Sequence, residues 1–244
     1  LRVFGLIGYP LSHSFSPDYF AHKFLDEGIS DSCYKLFPLE EIEAVKNLLM
    51  LPNLCGLNVT IPYKEAIIPY LDSLDDTAGN IGAVNTIHIK NGKTRGYNTD
   101  IIGFRSSLLY FAGPQPPPAL ILGTGGAAKA IVFVLEELNV PYLRISTHPK
   151  AGYSRGYNDL DRKLMDSYPL IINTTPLGTY PHIEGFPPLP YKYMGKRHLV
   201  YDLVYNPPIT MLMAKAKDSG AQVINGHEML KLQAAASWDI WNAP

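Results

Sequence analysis

Short apolar runs of strand length alternate along this chain with longer stretches of helical periodicity. Residues 3–8 read as a strand, 16–27 as a helix and 32–37 as a strand again. Residues 39–51 follow as a helix with Ile42, Val45, Leu48 and Leu49 on one face, and 54–59 as a strand. This alternation is the mark of βαβ units and a mostly parallel sheet, so the chain is expected to be α/β. Asn91-Gly92, flanked by the segments 85–89 and 93–97, predicts a hairpin and a local antiparallel excursion.

The clearest seam is the segment 113–118, Gly-Pro-Gln-Pro-Pro-Pro, which can neither continue a helix nor pair inside a sheet. An apolar strand at 119–122 opens a new α/β block directly after it. The last helix, about 226–241, carries Met229, Leu230, Leu232 and Trp238 and could return to pack on the first block. The expected division is therefore a domain of residues 1–101 completed by 225–244, and a second domain of residues 102–224.

Composition narrows the class without identifying it. The 244 residues carry 21 Lys and Arg against 22 Asp and Glu, a net charge of −1, so no basic surface for nucleic acid is implied. No apolar run approaches the ~20 residues of a membrane helix. The N-terminus shows no charged-then-apolar leader pattern. Cys33 and Cys55 have no CxxC spacing and no further thiols, which suits small buried hydrophobes in a reducing compartment better than a disulfide or a metal site. A cytoplasmic protein with small-molecule partners is expected, with neither nucleic acid nor membrane as a partner.

Two groups of residues bring chemistry. Gly123-Thr124-Gly125-Gly126-Ala127-Ala128 fits G-x-G-x-x-[G/A] between a strand and a helix candidate carrying Ile131, Val134, Leu135 and Leu138. Such glycines permit a tight turn, and the helix's first N–H groups can receive a pyrophosphate, so a Rossmann-type dinucleotide domain is expected. A glycine-rich turn without a ligand is the bland alternative. Beyond the second strand the acidic residue that would hold a ribose 2′-hydroxyl is absent. Thr147, His148, Lys150 and Arg155 stand there instead, favouring NADP, with NAD possible; a solvated loop is the competing reading.

The second group is polar and lies at predicted strand ends. Ser14 and Ser16 offer hydroxyls, although Ser16 before Pro17 also suits a helix N-cap. Asn58 and Thr60 share a side of an extended chain, and Lys64 would fall in the first turn of a helix begun by Pro62. A cation there opposes the helix dipole, which makes a specific role more attractive than a solvated one. Asn85, and Asp100 in the segment Asn98-Thr99-Asp100, add an amide and a carboxylate. Asp100 has its own ordinary explanation as a first-turn helix acid.

At these residues the sequence resembles the shikimate dehydrogenase family along nearly its whole length. Gly8-Tyr9-Pro10 with Ser14-Phe15-Ser16-Pro17 is similar to its N-terminal signature, and Asn58-Val59-Thr60-Ile61-Pro62-Tyr63-Lys64 to its most specific motif. Gly82-Ala83-Val84-Asn85-Thr86, Gly96-Tyr97-Asn98-Thr99-Asp100, Asn173-Thr174-Thr175-Pro176-Leu177-Gly178 and Asp202-Leu203-Val204-Tyr205 follow in order. The stretch from Gly226 to Gln233-Ala234 resembles the closing helix.

The resemblance implies two α/β domains, one for substrate and one of Rossmann type, with an active-site cleft between them. It implies that Ser14, Ser16 and Tyr205 bind the substrate carboxylate, and that Thr60, Lys64, Asn85, Asp100 and Gln233 hold the ring hydroxyls, with Asn58 beside them. Gly123 to Ala127 would bind the cofactor phosphates, Thr174 would contact the cofactor, and Leu203 and Gly226 would lie near the nicotinamide. The activity implied is reversible NADPH-dependent reduction of 3-dehydroshikimate to shikimate in aromatic amino-acid biosynthesis, by a monomer or homodimer without metal. Lys64 would transfer the proton while Asp100 holds it in place.

Two departures stand out. Thr147-His148-Pro149 replaces the family's Asn-Arg-Thr after the second cofactor strand, and Phe20-Ala21 replaces its His-Asn in the first helix. The alternatives are a quinate or mixed quinate/shikimate dehydrogenase using NAD, and a non-catalytic ligand-binding protein on the same scaffold. Gly152-Tyr153-Ser154-Arg155-Gly156 matches the hydrolase elbow G-x-S-x-G, but polar residues and Pro149 precede it where a buried strand is required, so Ser154 is read as a loop residue.

Overall fold

The apolar runs form two sheets in the computed structural model, which describes residues 1–12 and 14–243. His13 and Pro244 lie outside the described residues. Close packing divides the chain into two units: residues 1–102 together with residues from Leu230 onward, and Gly103–Met229. No helix among the described residues is long and apolar enough to cross a membrane.

The first unit contains β1 (Arg2–Gly8), α1 (Ser16–Asp26), β2 (Ser32–Pro38), α2 (Val45–Leu49), β3 (Leu54–Val59), β4 (Ser73–Leu74), α3 (Asp76–Ile81), β5 (Thr86–Lys90) and β6 (Lys93–Tyr97). The chain leaves it early in α4 (Asp100–Ala112). Its sheet runs β2-β1-β3-β5-β6-β4. β1 is parallel to both β2 and β3, whereas β5 is antiparallel to β3 and to β6. Asn91 and Gly92 close the β5–β6 hairpin with φ of 52° and 71°, the pair of positive values that a two-residue turn matching strand twist requires.

Strand alternation separates two cores. Ile7, Leu57, Val59 and Ile87 pack with Val45 and Ile67. Phe4 turns to the other face and meets Phe20, Ala234, Trp238 and Trp241, the last three from α8 (His227–Trp241). On β3 the residues flanking Leu57 are Gly56 and Asn58, so period two aims both at the α8 face. Gly56 is the residue that fits there, because a Cβ would run into the Trp241 indole.

The second unit contains β7 (Ala119–Leu122), α5 (Gly126–Glu137), β8 (Tyr142–Ile145), α6 (Arg162–Ser167), β9 (Leu170–Asn173), β10 (Leu199–Asp202), α7 (Met211–Asp218) and β11 (Gln222–Asn225). All pairings are parallel, in the order β11-β10-β9-β7-β8. The sequence of connections reverses between β7 and β9, which makes their carboxyl ends the topological switch point where doubly wound sheets bind ligands. β7 and β9 are buried along their whole lengths, as strands covered on both faces must be.

Three local expectations are corrected. The helix foreseen over 39–51 shrinks to Val45–Leu49 after a single 3-10 turn, because Glu41 remains extended and Pro52 disfavours helical geometry at Leu51. Lys64 lies in a run of turns rather than in a helix: its carbonyl accepts from Val84 N–H at 2.7 Å and so serves the neighbouring segment. Ser16 is not an N-cap. It is the first residue of α1, where Phe15 precedes it with helical dihedrals and without a side-chain cap.

Candidate active site

In the first unit, β3, β5, the start of α4 and α8 bring a dense polar group together. The Lys64 Nζ donates to Asp100 Oδ2 at 2.6 Å, with side-chain exposures of 19% and 8%. The other carboxylate oxygen, Oδ1, accepts from Asn85 Nδ2 at 2.9 Å. Held at both oxygens, the Asp100 carboxylate is constrained from turning, and it constrains the ammonium in turn.

Asn85 is oriented by the backbone. The Thr99 N–H can only donate, and it reaches Asn85 Oδ1 at 2.7 Å, which directs the amide nitrogen toward Asp100. The same nitrogen lies 3.2 Å from Gln233 Oε1 and 3.0 Å from Thr99 Oγ1. Lys64, Asn85, Asp100 and Gln233 are therefore brought together. Thr60 follows β3 with its N–H bonded to the Ile7 carbonyl and its side chain partly exposed.

Asn58 is buried, and its amide is fully occupied by protein groups. Its Oδ1 accepts from the Tyr34 hydroxyl at 2.8 Å, while Nδ2 donates to Ser237 Oγ at 2.9 Å and lies near Thr86 Oγ1 and the Asn85 carbonyl. Burial pushes the Tyr34 phenol far above its ordinary range, and the neighbouring Ser16 hydroxyl partly offsets the rise. Tyr34 therefore keeps its proton and remains a donor. Ser14 Oγ donates to the Leu11 carbonyl at 2.9 Å. Phe20, at the departure in the first helix, stacks on Tyr34 with ring centroids 4.4 Å apart. Tyr34 and Ser237 escaped the sequence reading; the signal for Ser237 was its spacing of one helical turn after Gln233.

In the second unit the glycine loop opens at the switch point. Gly123 has φ of 110°, and a Cβ there would lie 2.6 Å from Thr174 Oγ1, so glycine lets the loops after β7 and β9 approach. Thr174 is itself pinned, its Oγ1 donating to the Leu122 carbonyl at 2.7 Å. Gly125 precedes α5 without any side-chain cap and has open space around it. Thr124 is exposed, and Gly126 and Ala127 contribute the first N–H groups of the twelve-residue α5. Uncapped donors at such a helix start suit an anion.

A buried carboxylate organises the next two loops. Asp202 accepts from Asn173 Nδ2 at 2.8 Å, Thr210 Oγ1 at 2.6 Å and Val204 N–H at 3.1 Å. Burial raises its pKa while these bonds oppose the rise. Leu203 follows directly, and Gly226 is packed against it: a Cβ on Gly226 would run into the Leu203 carbonyl. Tyr205 is partly buried. Thr147, His148 and Lys150 form an exposed turn after β8, with Thr147 Oγ1 3.1 Å from His148 Nδ1. Ser154 belongs to that turn, its hydroxyl accepting from Lys150 N–H, so the G-x-S-x-G segment is no elbow. Among the described residues no group of three or more His, Cys, Asp or Glu could hold a metal ion.

The chain is similar to known proteins over nearly its whole length. Residues 6–87 match the family model described as the shikimate dehydrogenase substrate binding domain. The chain is 39% identical over 268 residues to the shikimate dehydrogenase (NADP(+)) of Halothermothrix orenii, covering 98% of this chain and 90% of that one. It is 36% identical over 259 residues to the enzyme of the same name from Methanosphaera stadtmanae, with the same two coverages. Among solved structures, the shikimate 5-dehydrogenase of Thermus thermophilus in complex with NADP(H) and shikimate superposes with a TM-score of 0.87 at 29% identity, over 99% of this chain and 94% of that one.

Proposed function

The chain belongs to the shikimate dehydrogenase family, and on that premise we propose that Lys64 and Asp100 move the proton in its reaction. That reaction is the reversible NADPH-dependent reduction of 3-dehydroshikimate to shikimate, which serves aromatic amino-acid biosynthesis. The observation that carries the assignment is the Lys64–Asp100 ion pair with its second carboxylate oxygen held by Asn85.

NADPH supplies the hydride when bound. As negative charge grows on the substrate's ring oxygen, the Lys64 ammonium stabilises it and donates a proton. In the reverse direction the neutral amine accepts the proton from the ring hydroxyl. The part of the Lys64 side chain that remains exposed gives it a route to solvent for the next proton. Asp100 and Asn85 maintain its aim. Thr60, Asn85, Asp100 and Gln233 hold ring hydroxyls in our reading, and Ser14, Ser16 and Tyr205 hold the carboxylate. Asn58, whose amide is spent on Tyr34 and Ser237, supports the ligands rather than touching the ring.

The second unit's loops fit the cofactor. Gly123 to Ala127 would receive the phosphates and Thr174 would border them. Leu203 and Gly226 would flank the nicotinamide, and Thr147, His148 and Lys150 the 2′-phosphate. We place the first unit as the substrate domain, with the dinucleotide domain beginning near residue 102. The free thiols of Cys33 and Cys55 suit a cytoplasmic setting.

Initial rates with shikimate and quinate, each with NADP and NAD, test the whole reading in wild type and in Lys150→Ala. Wild type should prefer shikimate with NADP. Lys150→Ala should lose roughly tenfold in kcat/KM with NADP, the value of one charged hydrogen bond, and little with NAD. A strong wild-type preference for quinate with NAD would contradict the assignment. Gly226→Ala should cost the second unit about 1–3 kcal/mol through overpacking against Leu203 and weaken cofactor binding. Thermal melting and nicotinamide fluorescence titration would read both, and unchanged cofactor affinity would remove Gly226 from the site.

A further inference from the structure

The polar group around Lys64 extends beyond the residues that could meet substrate, and one of its fully buried members is on α8. Ser237 is fully buried, and its hydroxyl joins four partners. It donates to the Gln233 carbonyl at 2.9 Å, one turn back in the same helix. It receives Asn58 Nδ2 at 2.9 Å and lies 2.8 Å from Thr86 Oγ1 and 3.2 Å from Thr99 Oγ1. A serine in a helix often bonds to the carbonyl four residues back and does nothing else. Here three other segments, β3, β5 and the turn before α4, converge on the same oxygen.

The hydrogens can be assigned. Ser237 has one proton, committed to the Gln233 carbonyl, and its two lone pairs accept from the two nearer neighbours, Asn58 Nδ2 and Thr86 Oγ1. The Asn58 nitrogen must face the Asn85 carbonyl, since the opposite orientation would set two acceptors against each other. With Asn58 nitrogen on one side, the Thr86 hydroxyl donates to Ser237 rather than to Asn85 Oδ1, 3.1 Å away. Asn85 Oδ1 is then left to Thr99, and its amide nitrogen to Asp100 and Gln233.

We propose that Ser237 is a positioning residue for the reaction: it holds the Gln233 turn and draws off the Thr86 proton, so that Asn85 and Gln233 present fixed polar edges to the ring hydroxyls. The proposal rests on the reading of Asn85 and Gln233 as substrate ligands. Removing the hydroxyl frees Thr86 to compete for Asn85 Oδ1 and leaves Asn58 Nδ2 with only its two longer contacts, both 3.3 Å.

Steady-state kinetics of Ser237→Ala and Ser237→Thr decide the matter, with Lys64→Ala as a reference. Ser237→Ala should raise KM for shikimate about five- to tenfold, the loss of one buried hydrogen bond, with kcat and the KM for NADP within about twofold. Ser237→Thr, which restores the hydroxyl, should recover most of the loss. Unchanged KM for shikimate in a folded Ser237→Ala protein would overturn the proposal, as would equal rises in both KM values. If Ser237→Ala melts below the assay temperature, Tyr34→Phe reads the same amide from its other end and should raise the shikimate KM alone; no change there would also overturn it. An active Lys64→Ala enzyme would instead strike the proton-transfer assignment and leave the Ser237 result interpretable.

Discussion

Lys64→Ala is expected to lose about 10²–10⁴-fold in kcat, the usual contribution of a positioned general acid–base group. Shikimate should still bind, with KM within a few-fold of wild type. The asymmetry follows from what remains: Asp100 keeps its bond from Asn85 Nδ2 at 2.9 Å, and Asn85 keeps the Thr99 N–H that orients it. The hydroxyl ligands thus stay in place while the proton donor is gone. Lys64→Arg should be nearly as inactive, because a guanidinium does not deprotonate and cannot accept the proton in the oxidative direction. Single-turnover reduction at saturating substrate would read the chemical step directly. Turnover within a few-fold of wild type would show that proton transfer runs through another group.

Trp241→Ala is the corresponding expectation for the scaffold, a loss of about 3–5 kcal/mol by the measure of large aromatic truncations in cores. Trp241 is buried, stacks on Phe4 with centroids 4.8 Å apart and donates its indole N–H to the Ile87 carbonyl at 2.9 Å. Its ring fills the space above Gly56. Truncation opens a cavity and strips a buried carbonyl of its partner, so two separate penalties combine. Against a typical total of about 5–15 kcal/mol this is a large share. Because α8 also carries Gln233 and Ser237, shikimate affinity should fall with stability. Trp241→Phe separates the effects by retaining ring contacts and dropping the N–H. Urea unfolding followed by far-UV circular dichroism would measure the loss; a change below about 1 kcal/mol, as for a surface site, would mean that α8 is not needed to close the first core.

What the sequence determined by itself was local or carried by order along the chain. Strand and helix periods predicted the α/β class, Asn91-Gly92 its hairpin, and Gly123 to Ala127 the turn into α5. Lys64 and Asp100 were legible as a pair only through the motifs around them, since a lysine after a proline and an acid at a helix start each have ordinary explanations. Where local preference was the whole argument, it failed in part at positions claimed by other groups: the Lys64 carbonyl bonds to Val84 N–H. Ser16 sits inside α1 beside the Tyr34 hydroxyl rather than capping it.

Only the tertiary structure decided which polar groups face each other. A hydroxyl's single proton and an amide's two faces are assigned by neighbours far away in sequence: Asn58 and Ser237, 179 residues apart, share a 2.9 Å hydrogen bond. Periodicity can place Asn58 on a face and Ser237 on a helix, but it cannot say that β3 packs beneath α8. That follows from burial of Phe4, Trp238 and Trp241 against one another, a long-range apolar contact to which the polar network is fitted.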